Sequence, residues 1–126
     1  MNKNSEINLK EHKIFFVGGK VQKVKDNNIL KGKMYVESFI PAKSNNKNII
    51  LIHGGGQSGS GFITTADGRR GWLHDFLSHG YSVYVVDQPG RARSGYSSTL
   101  YGEYMDRETN IAVSYTHLRA HETTDN

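Results

Sequence analysis

Apolar and polar residues alternate in three short stretches near the start of the chain, a pattern that is typical of half-buried β-strands. The first two stretches, residues 14–17 and 20–24, flank Gly18-Gly19. A two-residue glycine turn between such stretches predicts an antiparallel hairpin, because glycine adopts positive φ at little cost. The third stretch, residues 33–40, predicts a further half-buried strand.

The pattern changes in the middle of the chain. Residues 49–52 are continuously apolar, which favours a strand covered on both faces, as in the centre of a parallel sheet. Apolar residues then recur with helical spacing over residues 72–79, and Gly80 follows where a helix end often takes the left-handed conformation. Residues 81–86 are rich in β-branched and aromatic side chains. Strand, helix and strand in this order predict a parallel crossover within an α/β fold.

The loops that follow the two crossover strands contain the candidate chemistry. His53 opens the first loop and Asp87 opens the second, and both loops are expected at the carboxyl edge of the sheet, where open α/β sheets bind ligands. Residues 53–56 read His-Gly-Gly-Gly. Consecutive glycines leave backbone N–H groups accessible, and such groups stabilise the oxyanion that forms during acyl transfer.

The order of these two loops resembles the α/β-hydrolase superfamily. Residues 49–56 resemble the segment that ends in His-Gly and supplies an oxyanion donor, and residues 87–95 are similar to the Asp-x-Pro-Gly-x-Gly-x-Ser segment. The resemblance covers about residues 33–97 and is closest to bacterial esterase-like members. Ala92 departs from the pattern, because many relatives have glycine at this position.

The resemblance implies that backbone N–H groups of Gly55 and Gly56 form the oxyanion hole, with Gly54 and Gln57 as further candidates. His53 and Asp87 are interpreted as residues that structure the loops, since in this superfamily the triad acid and histidine follow the nucleophile. The resemblance also implies an ester substrate, with no cofactor and no metal.

The chain contains no Gly-x-Ser-x-Gly sequence, the strained turn that presents the nucleophilic serine of this superfamily. Residues 56–60 come near to it but lack the last glycine, and Ser58 is interpreted as a loop residue. We therefore expect residues 1–112 to be the N-terminal portion of a single α/β-hydrolase domain with an incomplete sheet. The nucleophile, acid and base are expected outside this chain, which should be inactive by itself.

The end of the chain is polar. A helix is predicted around residues 101–112, whereas residues 113–126 resemble translated sequencing-adapter DNA and are interpreted as a non-native tail. His117 and His121 in this tail have the spacing of a helical zinc pair, which on this interpretation is accidental.

Composition and charge add few constraints. The 126 residues contain no cysteine, and 36% are hydrophobic, as in an ordinary globular protein. Without a signal peptide or membrane-spanning segment, a cytoplasmic location is expected. All ten lysines lie between Lys3 and Lys47, as in a basic module that binds nucleic acid. No aromatic residues alternate with them, however, so the lysines are interpreted as part of a solvent-exposed face. No nucleic-acid or membrane partner is expected.

A dinucleotide-binding fold is the enzymatic alternative. Gly54, Gly56 and Gly59 match the fingerprint Gly-x-Gly-x-x-Gly, and Asp87 ends the next strand as a ribose-binding acid would. In such a fold the helix begins within the glycine turn. Residues 60–70 are expected to separate the glycines from the helix here, which argues against an oxidoreductase.

Overall fold

The computed structural model describes residues 6–102, so the predicted tail and nearly all of the predicted helix at residues 101–112 lie outside the described residues. Its elements in chain order are β1 (Leu9–Val17), β2 (Lys20–Val24), β3 (Asn27–Lys31), β4 (Met34–Pro41), β5 (Asn48–Ile52), α1 (Ser60–Ile63), α2 (Trp72–Ser78), β6 (Ser82–Asp87), a 3₁₀ turn (Ala92–Ser94) and α3 (Ser98–Tyr101).

Four of the strands form one mixed sheet in the order β1-β4-β6-β5. β4 is antiparallel to both β1 and β6, whereas β5 and β6 are parallel. The predicted parallel crossover is confirmed, since α1 and α2 lie between β5 and β6 in the chain. The described part of the chain is thus a partial α/β fold.

The prediction of a hairpin around Gly18-Gly19 was wrong. β1 pairs along its whole length with β4, and β2 pairs with β3 in a separate two-stranded sheet. The two glycines, with φ of +69° and +99°, lead the chain out of the first sheet. The pairing with β4 is favoured because it brings aromatic rings together: Phe16 packs edge-on against Tyr35, with ring centroids 5.6 Å apart.

The prediction that residues 33–40 are half buried was also wrong. Five consecutive residues of β4, on both of its faces, are buried: Tyr35, Val36, Glu37, Ser38 and Phe39. The alternation indicated one solvent-exposed face, but β4 lies inside the sheet, between β1 and β6. Polar Glu37 and Ser38 are therefore enclosed with their apolar neighbours.

The hydrophobic core lies between α2 and one face of the sheet. Leu73 and Leu77 of α2 are 1% and 5% exposed, and they pack on four buried sheet residues, Phe39, Leu51, Val83 and Val85. Gly80 ends the helix with φ of +89°, as predicted. Trp72, also part of the predicted apolar pattern, is exposed because it occupies the first position of the helix.

The prediction that the strand at residues 49–52 is covered on both faces was wrong. Leu51 faces the core, whereas Ile50 and Ile52 point to the opposite face and are 62% and 61% exposed. Among the described strands, β5 pairs with β6 alone. Two exposed isoleucines on an edge strand form a surface on which another chain can associate.

We predict that the purified chain self-associates through β5 and that Ile50→Thr/Ile52→Thr reduces this association. Threonine keeps the β-branched shape that suits a strand while removing apolar surface. Sedimentation velocity over a concentration series measures the effect. The double variant should change the free energy of unfolding by less than about 1 kcal/mol, because both side chains are exposed.

Leu51→Ala is the matched control on the same strand. Because Leu51 is buried, its truncation should lower the free energy of unfolding by about 2–5 kcal/mol without reducing association. A wild-type chain that stays monomeric at all concentrations would contradict the prediction.

Candidate active site

His53 joins the loop after β5 to the loop after β6. It is buried, and its Nε2 lies 2.9 Å from the backbone N of Gln88. Since a backbone N–H only donates, Nε2 accepts and the proton is on Nδ1, which donates to the carbonyl of Gly54 at 2.8 Å. The side-chain amide of Gln88 donates in return to the carbonyl of His53 at 2.8 Å. Both ring nitrogens are therefore occupied by backbone groups.

The glycine loop begins with a tight turn. The N–H of Gln57 donates to the carbonyl of Gly54 at 3.2 Å, and Gly56 has φ of +73°, which favours glycine. The amides of Gly55 and Gly56 make no hydrogen bond with any described residue. Of the four candidate donors from the sequence, Gln57 is engaged within the loop, whereas the amides of Gly54, Gly55 and Gly56 donate to no described residue.

Asp87 is fully buried and connects the same two loops at a second point. Its Oδ1 accepts the backbone N–H of Gly59 at 2.7 Å. Its Oδ2 accepts both the backbone N–H and the Nε–H of Arg93, at 3.0 Å and 2.8 Å. Burial raises the pKa of Asp87, but the hydrogen bonds from Arg93 and Gly59 outweigh it, so that the pKa lies below its ordinary value.

Gly59 fits this position because the loop lies directly against β6. A Cβ on Gly59 would lie 2.6 Å from Cγ1 of Val85 and 2.9 Å from the carbonyl oxygen of Val86. Both distances are too short for any side chain, so the contact between Gly59 and Asp87 depends on glycine.

Arg93 extends the network across the sheet. Its Nη1 lies 3.1 Å from Oε1 of Glu37 and 3.1 Å from the hydroxyl of Tyr35, whose ring it covers at 4.1 Å. The other carboxylate oxygen of Glu37 lies 2.7 Å from Nε2 of His12. Burial lowers the pKa of Arg93, but the hydrogen bond to Asp87 and the charge of Asp87 raise it by more, so the pKa lies above its ordinary value. The guanidinium therefore stays protonated.

The loop after β6 begins with a turn over residues 88–91. The N–H of Arg91 donates to the carbonyl of Gln88 at 3.0 Å, and Gly90 has φ of +78°. Proline followed by glycine at the two central positions is typical of a type II turn. A Cβ on Gly90 would also lie 3.0 Å from the ring of Tyr101.

Between the two loops lies an open cleft of about 860 Å³. Its lining residues are Gly56, Gln57, Ser58, Ser60, Gly61, Gly90, Arg91, Ala92 and Tyr96. The Oγ of Ser58 lies 2.7 Å from the hydroxyl of Ser60, and no histidine or carboxylate of the described residues accepts a hydrogen bond from it. Within residues 6–102, Ser58 therefore lacks the general base that an activated serine needs.

Sequence reasoning missed three residues that shape this site. Gln88 and Arg93 lie inside the motif at residues 87–95 but were given no role, and Gly59 was considered only as the third glycine of a dinucleotide fingerprint. Glycine is required at position 59 because the loop packs closely against β6 there. A positive residue six positions after a buried acid was the available signal for Arg93.

The expected gap between the glycines and the first helix is absent. α1 begins at Ser60, directly after Gly59. This spacing argument against a dinucleotide-binding fold was wrong, because the residues before Trp72 form one helical turn of their own. The comparisons with known proteins nevertheless favour the hydrolase.

Known proteins that resemble the chain include a lipase and an esterase. A probable secreted lipase, phiG, from Fungal sp. (strain ATCC 74256) is 43% identical over 81 residues, which are 64% of this chain and 20% of the lipase. The solved structure of a novel bacterial esterase matches with a TM-score of 0.67 and 33% identity, over 79% of this chain and 36% of that chain. No family model matches the sequence.

The chain thus resembles part of an esterase-like hydrolase. It spans about a third of the bacterial esterase and a fifth of the fungal lipase. No helix in the described part of the chain is long and apolar enough to cross a membrane. The lipase is named as secreted, so the cytoplasmic location stays a prediction.

We predict that Asp87→Asn lowers the free energy of unfolding at pH 7 by about 1.5–3 kcal/mol, the usual contribution of hydrogen bonds to a charged group. Because the pKa of Asp87 is lower in the folded chain than its ordinary value of 3.8, its contribution is present above that value. The contribution is lost as the pH falls through the folded pKa. Urea unfolding between pH 7 and pH 3 measures this dependence, which the variant should lack.

The exposed Asp67 serves as a control, because hydrogen bonds from Thr65 and Arg69 also lower its pKa. Solvent screens this exposed group, so Asp67→Asn should leave most of the acid sensitivity in place. Equal effects of the two substitutions would contradict the role of Asp87.

Ala92 has φ of +41°, where glycine is favoured over any residue with a Cβ. We predict that Ala92→Gly raises the free energy of unfolding by about 0.5–1 kcal/mol, since relief of about 1–2 kcal/mol of strain exceeds the entropic cost of glycine. Ala66→Gly is the control, because Ala66 is an exposed turn residue without positive φ. It should be destabilising, and a loss of stability in both variants would exclude strain at Ala92.

Proposed function

We propose that the chain supplies the oxyanion-hole loop of a serine hydrolase that acts on carboxylic esters. The amides of Gly55 and Gly56 are the donors. The observation that carries the proposal is that these two N–H groups have no partner among the described residues while Gly56 lines the cleft. The similarity to an esterase and a lipase supports an ester substrate.

In ester hydrolysis the attack of a serine hydroxyl on the acyl carbon turns the carbonyl oxygen into an anion. Donors that are fixed before the reaction stabilise this charge without a cost for reorganisation. Two hydrogen bonds support this role for the glycine loop: the carbonyl of Gly54 accepts from the N–H of Gln57, and the N–H of Gly59 donates to the carboxylate of Asp87.

His53 and Asp87 position the loop and do not act on the substrate. The imidazole of His53 has both nitrogens bonded to backbone groups, and the carboxylate of Asp87 holds Gly59 and Arg93. A general base needs a free nitrogen within reach of the nucleophile. On this proposal the nucleophile, the acid and the catalytic histidine lie outside this chain.

A fluorophosphonate probe tests the proposal, because it labels the activated serine of serine hydrolases. The enzyme encoded by the gene extended beyond residue 112 should hydrolyse p-nitrophenyl butyrate and take up the probe on a serine in the added sequence. The 126-residue chain should do neither. Labelling of Ser58, or ester hydrolysis by the 126-residue chain, would overturn it.

The donors are tested by Gly55→Pro in the extended enzyme, since proline removes the N–H. We expect kcat to fall by about 100- to 1000-fold, as for the loss of one oxyanion donor. His53→Gln is the comparison: it should lower the melting temperature while leaving kcat higher than in the Gly55→Pro enzyme. The reverse order would indicate that His53 is catalytic.

A further inference from the structure

The two loops that line the cleft contain positive charge and no acidic side chain. Residues 53–66 and 88–102 include no aspartate or glutamate, whereas the second segment contains Arg91 and Arg93. Arg93 is neutralised by Asp87 and Glu37, at 2.8 Å and 3.1 Å. Of the two arginines in these loops, Arg91 is thus the one whose charge no acidic side chain of residues 6–102 neutralises.

Arg91 is the charged member of the cleft lining. It forms no ion pair with any described residue, in contrast to Arg69, which is paired with Asp67 at 2.9 Å. An exposed arginine without a partner gains more from binding an anion than a paired one, because no existing ion pair has to be broken.

The backbone fixes the position of Arg91. Its N–H closes the turn to Gln88 at 3.0 Å, with Pro89 and Gly90 at the centre. The open side of Gly90 lies against the ring of Tyr101, 3.0 Å from the position of a Cβ. The Cα of Arg91 is thus held on the wall of the cleft opposite the glycine loop.

The geometry points to Arg91 as the residue that selects an ester bearing a carboxylate, such as the half-ester of a dicarboxylic acid. This inference rests on the proposed hydrolase function. The planar guanidinium donates two parallel hydrogen bonds to a carboxylate, a match that a neutral ester lacks. Hydrolysis then consumes one water, breaks the acyl–oxygen bond, and releases the alcohol and a dicarboxylate.

The surroundings of Arg91 suit a substrate with a carboxylate at one end and a short carbon chain. Tyr96 lines the same cleft, and its hydroxyl donates to the carbonyl of Gly102. Its ring stacks on that of Tyr101, with centroids 6.4 Å apart, and adds an aromatic side chain to the lining. Gly56 lies on the lining as well, so the ester carbonyl and the distant carboxylate can be held within one cleft.

Two p-nitrophenyl esters of matched chain length test the inference in the enzyme encoded by the extended gene: the mono-ester of adipic acid and the ester of heptanoic acid. The ratio of their kcat/KM values should favour the adipate ester. Arg91→Gln should lower this ratio by about 10- to 100-fold, the equivalent of hydrogen bonds to a charged group. Arg91→Lys should give an intermediate ratio, because lysine keeps the charge but loses the planar geometry.

Arg69→Gln is the control, since Arg69 is exposed and lies outside the cleft lining. It should leave the ratio unchanged. An Arg91→Gln enzyme with the wild-type ratio would overturn the inference while leaving the proposed function intact. If neither ester is hydrolysed, the proposed function fails.

A binding measurement distinguishes failure of the carboxylate selectivity of Arg91 from failure of the proposed hydrolase function. Monomethyl adipate should bind the 126-residue chain at least about 10-fold more tightly than dimethyl adipate, with the difference lost in Arg91→Gln. Equal binding of the two compounds by the wild-type chain would overturn the role of Arg91, whatever the outcome of the hydrolysis experiments.

Discussion

The buried carboxylate of Asp87 is the constraint on which the site depends. A carboxylate without solvent is costly unless hydrogen bonds replace its hydration. Three donors do so here, one from Gly59 and two from Arg93. Because they come from both loops that follow the crossover strands, satisfying this single group fixes each loop to the end of β6.

The remaining features of the site follow from this arrangement. Gly59 has no space for a side chain because its amide must reach Asp87 past Val85. The side chain of Arg93 extends back over the sheet, where it contacts Glu37 and the ring of Tyr35. With Gly59 held by Asp87, the loop between β5 and α1 is fixed against β6, and Gly56 lies on the lining of the cleft.

Much of this arrangement is predictable from local pattern. The presence of a strand at β5, the helical spacing of α2 and the left-handed Gly80 were identified correctly, because each depends on residues close together in the chain. The pairing of β1 with β4 was not, since the glycine turn at residues 18–19 indicated a nearer partner. Long-range pairing is decided by packing, which sequence alternation does not report.

The site also divides into residues that local sequence identifies and residues that it does not. The glycines and Asp87 can be identified from residue type and position in the motifs, whereas the hydrogen-bond donors to Asp87 are known only from the folded loops. Arg93 and Gln88 act through hydrogen bonds across 6 and 35 positions of sequence. The exposure of Ile50 and Ile52 likewise depends on which elements lie next to β5 in the fold. The apolar pattern of residues 49–52 does not specify those elements.

The small sheet of β2 and β3 has a consequence for how the protein tolerates change. It shares no ladder with the main sheet, and the N–H of Gly32 at its base meets the hydroxyl of Tyr101 at 2.9 Å. No residue of β2 or β3 is buried, so substitutions within these two strands require no core side chain to repack. The ribbon can therefore accept changes in sequence as long as the contact between Gly32 and Tyr101 is kept.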